Sequence, residues 1–352
     1  MRILFVLPTI NSGGAERVAI NFANIVAENH KVDLVVFDDS SALMWAISEK
    51  VNIFRLRTFK TVFSIWKLFR LIRRVNPDVV FCSHSRVAFL LSLVLLICNK
   101  TKLISRMQGM PSAEIQRKEY SRFRQMLYSF GYRASDLVIA QTKEMKDDCV
   151  SIFRVTENKI KVIHNPIDTT QLSSLIDEPS PFIERYVKHI VLSGRIRFER
   201  GFDIALRAIK YVSSQRNTKF FIHVIGPDRG GLLDLKALIK ELEIGHVFFH
   251  DYQSNPYKYY VNCDLFILSS RWEGLPNAFI ENVYLGSLTV ATRCVPIVEE
   301  IAGNRPNIFL CDVEDIKSMG DAIMSALDYG DRSEIGYLHK ESNIEKEVFG
   351  FE

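Results

Sequence analysis

DLFILSSRWEGLPNAFIE, residues 264 to 281, runs from an apolar strand through a short turn into an apolar helix. Two carboxylates stand eight positions apart in it. Glu273 is expected on the loop at the strand's carboxyl end, and Glu281 in the first turn of the following helix, where an acid is stable. Ligands of doubly wound α/β sheets bind outside the carboxyl ends of their strands, so this corner is a candidate site.

Working outward, the same alternation recurs. ILFVLP, VDLVVFD, DVVFCS, KLISRM, DLVIAQ and IKVIHN are too uniformly apolar for strands with one wet face, which points to a parallel sheet covered on both sides. AERVAINFANIVAEN and SIWKLFRLIRRV, with apolar spacing near 3.6, supply helices between them. TTQLSSLIDEPSPF breaks the pattern with two prolines and reads as a linker. The alternation then restarts with HIVLSGR, FFIHVIG, VFFHD, DLFILSS, LTVATR and IFLC, and with helices from Asp203, Leu232, Asn277 and Asp315. The fold class is α/β, with two doubly wound, Rossmann-like domains facing a central cleft. The expected divisions are a first domain over 1–168, a linker over 169–187, a second domain over 188–330 and a tail over 331–352.

Composition sets the broad class. A chain of 352 residues, 47% apolar and 24% charged, is that of a soluble globular protein with two domains. Met1-Arg2 leads straight into the first strand with no cleavage-like site, so no secretory leader is expected. The six cysteines show no paired spacing and read as reduced core residues of a cytosolic protein. The eight histidines show no metal-ligand spacing, and no metal site is expected. Net charge is +4, unevenly placed: from Arg55 to Arg133 there are 16 Lys and Arg against Asp78, Glu114 and Glu119. Such asymmetry points to a polyanionic partner for that region.

Three loops sit where chemistry is expected. PTINSGGAER places Gly13 and Gly14 before a helix, suited either to an anion or to a plain turn. No G-x-G-x-x-G occurs, which counts against an ordinary dinucleotide site. SGRIRFERG sets Arg195 and Arg200 five apart, able to straddle a diphosphate with two forked guanidiniums or to form a solvated basic loop. FFIHVIG ends in Gly226 and the turn GPDRGG.

HDYQSNPYKYYVNCDLFILSSRWEGLPNAFIENVYLGSLTVATRC resembles the retaining, nucleotide-sugar-dependent glycosyltransferases of the GT-B fold, family four of the sequence classification. Their signature is an acid, seven residues and a second acid after a strand ending in serine. The upstream NPY fits the group that builds bacterial surface polysaccharides. SGGAER, YRASDLVIAQT, NKIKVIHNPID and SGRIRFERG match further family segments in order, so the resemblance covers roughly residues 1 to 328. Two departures stand out. Arg200 replaces the family's lysine, and CVPIVEE lacks the family's glycine turn before an acid, here matched to Glu300 with Glu299 as the alternative.

The resemblance implies a glycosyltransferase that moves a sugar from a nucleotide-diphosphate donor to a lipid-linked surface glycan. It implies retention of anomeric configuration without the carboxylate nucleophile of retaining glycoside hydrolysis. Glu273 would face the transferred sugar, Glu281 the ribose hydroxyls, and Arg195 and Arg200 the leaving diphosphate, without a metal or cofactor. Gly13, Gly14, Gly226, Leu275, Pro276 and Asn277 fall on the donor side. His84, in FCSHSR, is expected to orient or deprotonate the acceptor hydroxyl, the plain alternative being a structural histidine.

The basic region then gains a partner. Lys67, Arg70 and Arg74 share one face of SIWKLFRLIRRV opposite Ile65, Leu68 and Ile72, while RKEYSRFRQMLYSF mixes arginines with Phe123, Leu127 and Phe130. Both suit an anionic membrane surface and a place peripheral to the inner face of the cytoplasmic membrane. VAFLLSLVLLIC is too short to span a bilayer and reads as a buried helix. The alternatives are a nucleotide-sugar 2-epimerase of the same fold, a catalytically impaired scaffold relative, and a nucleic-acid-binding protein. The last is set aside because no binding motif appears.

Overall fold

The computed structural model describes residues 1–11, 14–58, 64–97, 100–116, 121–167, 172, 175–184, 186–303, 305–330 and 348. Of the stretch 331–352, therefore, only Val348 is described, and Gly13, Cys98, Arg117 and Asp168 lie outside the described residues. The chain forms two compact units, divided between Asp168 and Thr169.

The first unit is built on seven parallel strands: β1 (Arg2–Leu7), β2 (Lys31–Val36), β3 (Val51–Arg55), β4 (Val79–Cys82), β5 (Lys102–Arg106), β6 (Leu137–Ala140) and β7 (Ile160–Val162). Their spatial order is β3-β2-β1-β4-β5-β6-β7, a doubly wound sheet. The helices α1 (Gly14–Ala27), α2 (Ser64–Val75), α3 (Ser85–Leu95), α4 (Pro111–Gln116), α5 (Arg122–Ala134) and α6 (Lys143–Ser151) follow the strands. Uniformly buried residues on β1, β4 and β6 bear out the reading of strands covered on both faces. β3 is the strand that the sequence reading missed. Its VNIFR is exposed or half-buried except at Val51, because β3 is an edge strand with a wet side.

In the second unit, β8 (Lys188–Ser193), β9 (Phe220–Ile225), β10 (Val247–His250), β11 (Leu265–Leu268), β12 (Thr289–Thr292) and β13 (Ile308–Cys311) order as β10-β9-β8-β11-β12-β13. The helices are α7 (Phe202–Arg216), α8 (Leu232–Glu241), α9 (Tyr257–Tyr260), α10 (Asn277–Tyr284), α11 (Pro296–Ala302) and α12 (Ile316–Tyr329). Asp315 caps α12 by accepting from the Ser318 N–H at 2.8 Å, the N-cap chemistry expected of aspartate. Described residues of the stretch 169–187 dock on this sheet. Phe182 stacks on His189 with ring centroids 4.3 Å apart, and Glu178 pairs with Lys258 at 3.1 Å.

Strand order fixes where each unit offers a crevice. The direction of winding reverses between β1 and β4 in the first sheet and between β8 and β11 in the second. Loops leaving the carboxyl ends of those strands diverge, and the gap between them is where such sheets bind ligands.

Candidate active site

In the second unit the reversal point brings together the loop after β8, with Arg195 and Arg200, and the loop after β11, with Glu273. Gly194 leaves β8 at φ 144°, and the Arg200 side chain lies across it. Gly201 follows at φ 61°, where a Cβ would stand 2.0 Å from the Ser269 carbonyl, so only glycine lets the two loops approach this closely. Ser269 Oγ donates to the Arg200 carbonyl at 2.8 Å and stitches them.

Arg200 and Glu273 meet directly. Arg200 Nη1 pairs with Glu273 Oε1, the same oxygen that accepts from Ser270 Oγ at 2.8 Å. Both side chains are mostly buried, and Arg200 Nε has no partner among the described residues. Burial, followed by the neighbouring charge of Arg195, pushes the Arg200 guanidinium down to about 10. The corner thus sets two guanidiniums, Arg195 and Arg200, near the carboxylates of Glu273 and Glu199, and the two forks suit a diphosphate.

A residue that sequence reasoning missed braces this corner. Arg271 Nη1 donates to the Phe198 carbonyl at 2.6 Å and to Asp203 Oδ1 at 2.9 Å; Nη2 reaches Asp203 Oδ2 at 2.8 Å and Nε reaches Glu314 Oε1 at 2.7 Å. Its guanidinium stacks on the Phe198 ring at 3.9 Å, and its own N–H donates to the Glu199 carbonyl at 2.8 Å. Burial would raise Asp203, but the fork from Arg271 holds its carboxyl below the usual range. One side chain therefore ties the Arg200 loop, the start of α7 and the β13–α12 loop to the loop of Glu273. An arginine beside a tryptophan carries no sequence signal for this, because its partners lie 43 to 73 residues away.

Glu281 needs a correction. α10 begins at Asn277, so Glu281 sits one full turn in rather than in the first turn, where the helix dipole has largely faded. Tyr257 donates to its Oε1 at 3.4 Å. Leu275 and Pro276 are buried under this corner, and Asn277 opens the helix. Gly226, at φ 137°, has a local reason to be glycine: a Cβ there would stand 2.1 Å from the Gly194 carbonyl. In the GPDRGG turn, Asp228 Oδ1 accepts from the N–H groups of Gly230, Gly231 and Leu232 at 2.9–3.1 Å, which occupies those donors. Near the missing glycine turn, Glu299 pairs with Arg293 at 2.7 Å, while Glu300 is exposed.

In the first unit the reversal point holds Gly14, the first residue of α1, and His84, which precedes α3 after β4. His84 Nε2 lies 3.4 Å from Glu16 Oε1 in the first turn of α1, and its Nδ1 has no partner among the described residues. Glu16 lies in the SGGAER segment, and its pairing with His84 depends on the parallel neighbourhood of β1 and β4. Among the described residues no group of three or more His, Cys, Asp or Glu side chains could hold a metal ion.

α2 presents the face read from its sequence. Leu68 and Ile72 are buried while Lys67, Arg70 and Arg74 are exposed. Trp66 is 59% exposed with Arg70 stacked on its ring at 5.0 Å. Leu96 and Ile97 past the end of α3, and Phe123, Met126 and Phe130 on α5, are exposed too. α3 packs against both α2 and α5, and is itself a core helix whose far end surfaces. No helix among the described residues is long and apolar enough to cross a membrane.

The comparisons follow the two-unit division. Residues 12–171 match the model of Glycosyltransferase Family 4, and residues 177–337 that of Glycosyl transferases group 1. An uncharacterized glycosyltransferase of Methanocaldococcus jannaschii is 28% identical over 80% of this chain and 69% of its own length. The Campylobacter jejuni N-acetylgalactosamine-N,N'-diacetylbacillosaminyl-diphospho-undecaprenol 4-alpha-N-acetylgalactosaminyltransferase is 25% identical over 91% of this chain and 88% of its own. The solved structure of Anabaena HepE in complex with UDP and glucose shares the fold at TM-score 0.74 and 17% identity, covering 93% of this chain and 90% of that one. These matches leave the epimerase alternative without support. The two family models between them span nearly the whole chain, which belongs to glycosyltransferase family four and is a glycosyltransferase of the GT-B fold.

Proposed function

We propose that this glycosyltransferase moves a sugar from a nucleoside-diphosphate donor to a diphosphate-linked lipid glycan at an anionic membrane surface, with retention at the anomeric carbon. The observation that carries the donor side is the pairing of Arg200 with Glu273 beside Arg195 at the reversal point of the second sheet. An arriving diphosphate competes for Arg200, and the released carboxylate then faces the sugar as its ring gains positive charge. The leaving diphosphate receives the acceptor proton on the same face, with His84 orienting the hydroxyl. The acceptor class comes from the Campylobacter jejuni relative, whose own name specifies an undecaprenol diphosphate glycan. Trp66, Phe123 and Met126, exposed among arginines, support the membrane part of the reading.

The test begins with thermal stabilisation and hydrolysis across a panel of nucleotide sugars. The best donor is then offered with polyprenyl-diphosphate-linked sugars, and the anomer of the product is read by NMR. One donor that stabilises the chain, turns over in the presence of a chelator and gives a retained product is the expected result. An inverted product would remove the mechanism, and stabilisation without turnover on any acceptor would favour a scaffold.

A further inference from the structure

The first unit buries a cation that its described neighbours leave uncompensated. Arg106 closes β5 at 2% exposure. Its Nη2 donates to Asn165 Oδ1, while Nε and Nη1 meet no partner, and among the described residues no acid forms an ion pair with it. Burial pushes its guanidinium down to about 9. A buried charge without a counter-ion is strongly destabilising, so its persistence suggests that a ligand supplies the missing anion.

The neighbours of Arg106 share the deficit. Cys82 of β4 stands opposite Ser105 of β5, so the next step of the register sets Ser83 beside Arg106. Ser83 and Arg106 therefore lie at the carboxyl ends of two central strands. Ser83 Oγ is buried and has no partner among the described residues, and the same holds for His84 Nδ1 in the next residue. In the neutral imidazole with its Nε2–H directed to Glu16, Nδ1 carries the accepting lone pair. The Tyr132 hydroxyl, close to Arg106 in the electrostatics, is taken by Ser85 at 2.9 Å. Two donors without described partners, one of them charged, and one acceptor thus stand on neighbouring strand ends.

We propose that Arg106 and Ser83 form an oxyanion site that takes a phosphate group of the diphosphate-linked acceptor, with His84 Nδ1 accepting from a hydroxyl of the same molecule. The assignment rests on the acceptor class proposed above. A neutral sugar would satisfy the N–H groups but leave the charge unmatched; a phosphate satisfies both, and its oxygens fit the guanidinium fork.

Farnesyl diphosphate, inorganic pyrophosphate and farnesol serve as probes, titrated calorimetrically into the full chain with UDP in excess to occupy the second unit. Farnesyl diphosphate is expected to bind the wild type more tightly than pyrophosphate or farnesol. Arg106→Gln should weaken it at least tenfold and Ser83→Ala about threefold, with UDP affinity measured separately and unchanged. If Arg106→Gln does not fold, Arg106→Lys and Ser83→Ala decide, since each removes part of the donor array while keeping the bulk or the charge. Wild-type affinity for farnesyl diphosphate in these variants overturns the site. A parallel loss of UDP affinity reassigns Arg106 to the donor, and pyrophosphate binding equal to farnesyl diphosphate makes the ligand a free anion; either overturns the acceptor assignment. A chain that binds farnesyl diphosphate through Arg106 yet uses no nucleotide sugar would instead defeat the proposed function alone.

Discussion

Arg200 and Glu273, residues of two different loops, are each other's ion-pair partner, and Ser270 holds the shared carboxylate oxygen from the other side at 2.8 Å. The sequence suggested separate tasks for them, one on diphosphate and one on sugar. Their pairing joins two mostly buried side chains and makes their effects interdependent.

Arg200→Gln strands Glu273 and is expected to destabilise the second unit by roughly 3 kcal/mol, the scale of breaking a mostly buried pair. The double variant Arg200→Gln, Glu273→Gln should regain part of that stability but none of the turnover. Glu273→Gln alone should lower kcat about a hundredfold while tightening nucleoside-diphosphate binding, because Arg200 no longer has to be released from its partner. Denaturant melts and steady-state kinetics on the four proteins of the cycle measure both couplings. Additive stability losses would show that the pair is not energetically real.

Arg271 should behave as a positioning residue. Arg271→Lys keeps a charge but loses the fork to Asp203 and the stacking on Phe198. A fall in kcat of roughly tenfold with donor KM within about twofold is expected, because a loop displaced by a fraction of an ångström costs geometry before it costs binding. Kinetics unchanged while the melting temperature drops would confine Arg271 to fold stability.

For Glu281 the expectation is a binding effect. Glu281→Gln should raise donor KM by roughly tenfold, the equivalent of one charge-assisted hydrogen bond of about 1.5 kcal/mol, with kcat little altered. Tyr257→Phe, which removes the described donor to Glu281, should have a smaller effect in the same direction. A kcat collapse in Glu281→Gln would exchange the roles of the two acids.

An imidazole ladder makes the second unit acid-sensitive. His250, His223 and His189 cross β10, β9 and β8, hydrogen-bonded at 3.0 and 2.9 Å, and His189 Nε2 reaches the Glu184 carbonyl at 2.6 Å. A carbonyl only accepts, so each ring donates from Nε2 and accepts at Nδ1. Protonating His223 would set two donors against each other. Burial, then the charges of His250 and His189, push His223 down to about 3. The unfolded imidazole still binds its proton near pH 6.5, so stability is full above that pH and is lost as pH falls toward 3. The melting temperature should therefore fall steadily from pH 7 to pH 5, and His223→Phe should flatten that slope. Equal slopes in both proteins would mean that the ladder does not set acid sensitivity.

On the first unit, Lys67→Ser, Arg70→Ser, Arg74→Ser together should cut binding to anionic vesicles at least tenfold without changing donor hydrolysis. Salt should weaken the wild type's binding, and Trp66 fluorescence should shift to the blue on docking. Binding to neutral vesicles at high salt that matches binding to anionic ones would remove electrostatics from the account.

The sequence by itself determined the two-unit α/β architecture, because buried parallel strands must be apolar on both faces and the helices between them must be striped. It also located the loops of Arg195, Arg200, Glu273 and His84, since those loops leave the carboxyl ends of recognisable strands. The wet-sided edge strand β3 escaped it, having no uniform apolar run. The tertiary structure alone decided the partners: Arg200 with Glu273, Arg271 with Asp203 and Glu314, His84 with Glu16, and Arg106 with no acid among the described residues. Those pairings join residues 43 to 73 positions apart, or as many as 68 across the first sheet. Only the order in which parallel strands pack brings them within reach, and a hydrophobic pattern specifies that a strand is buried without specifying which strand lies beside it.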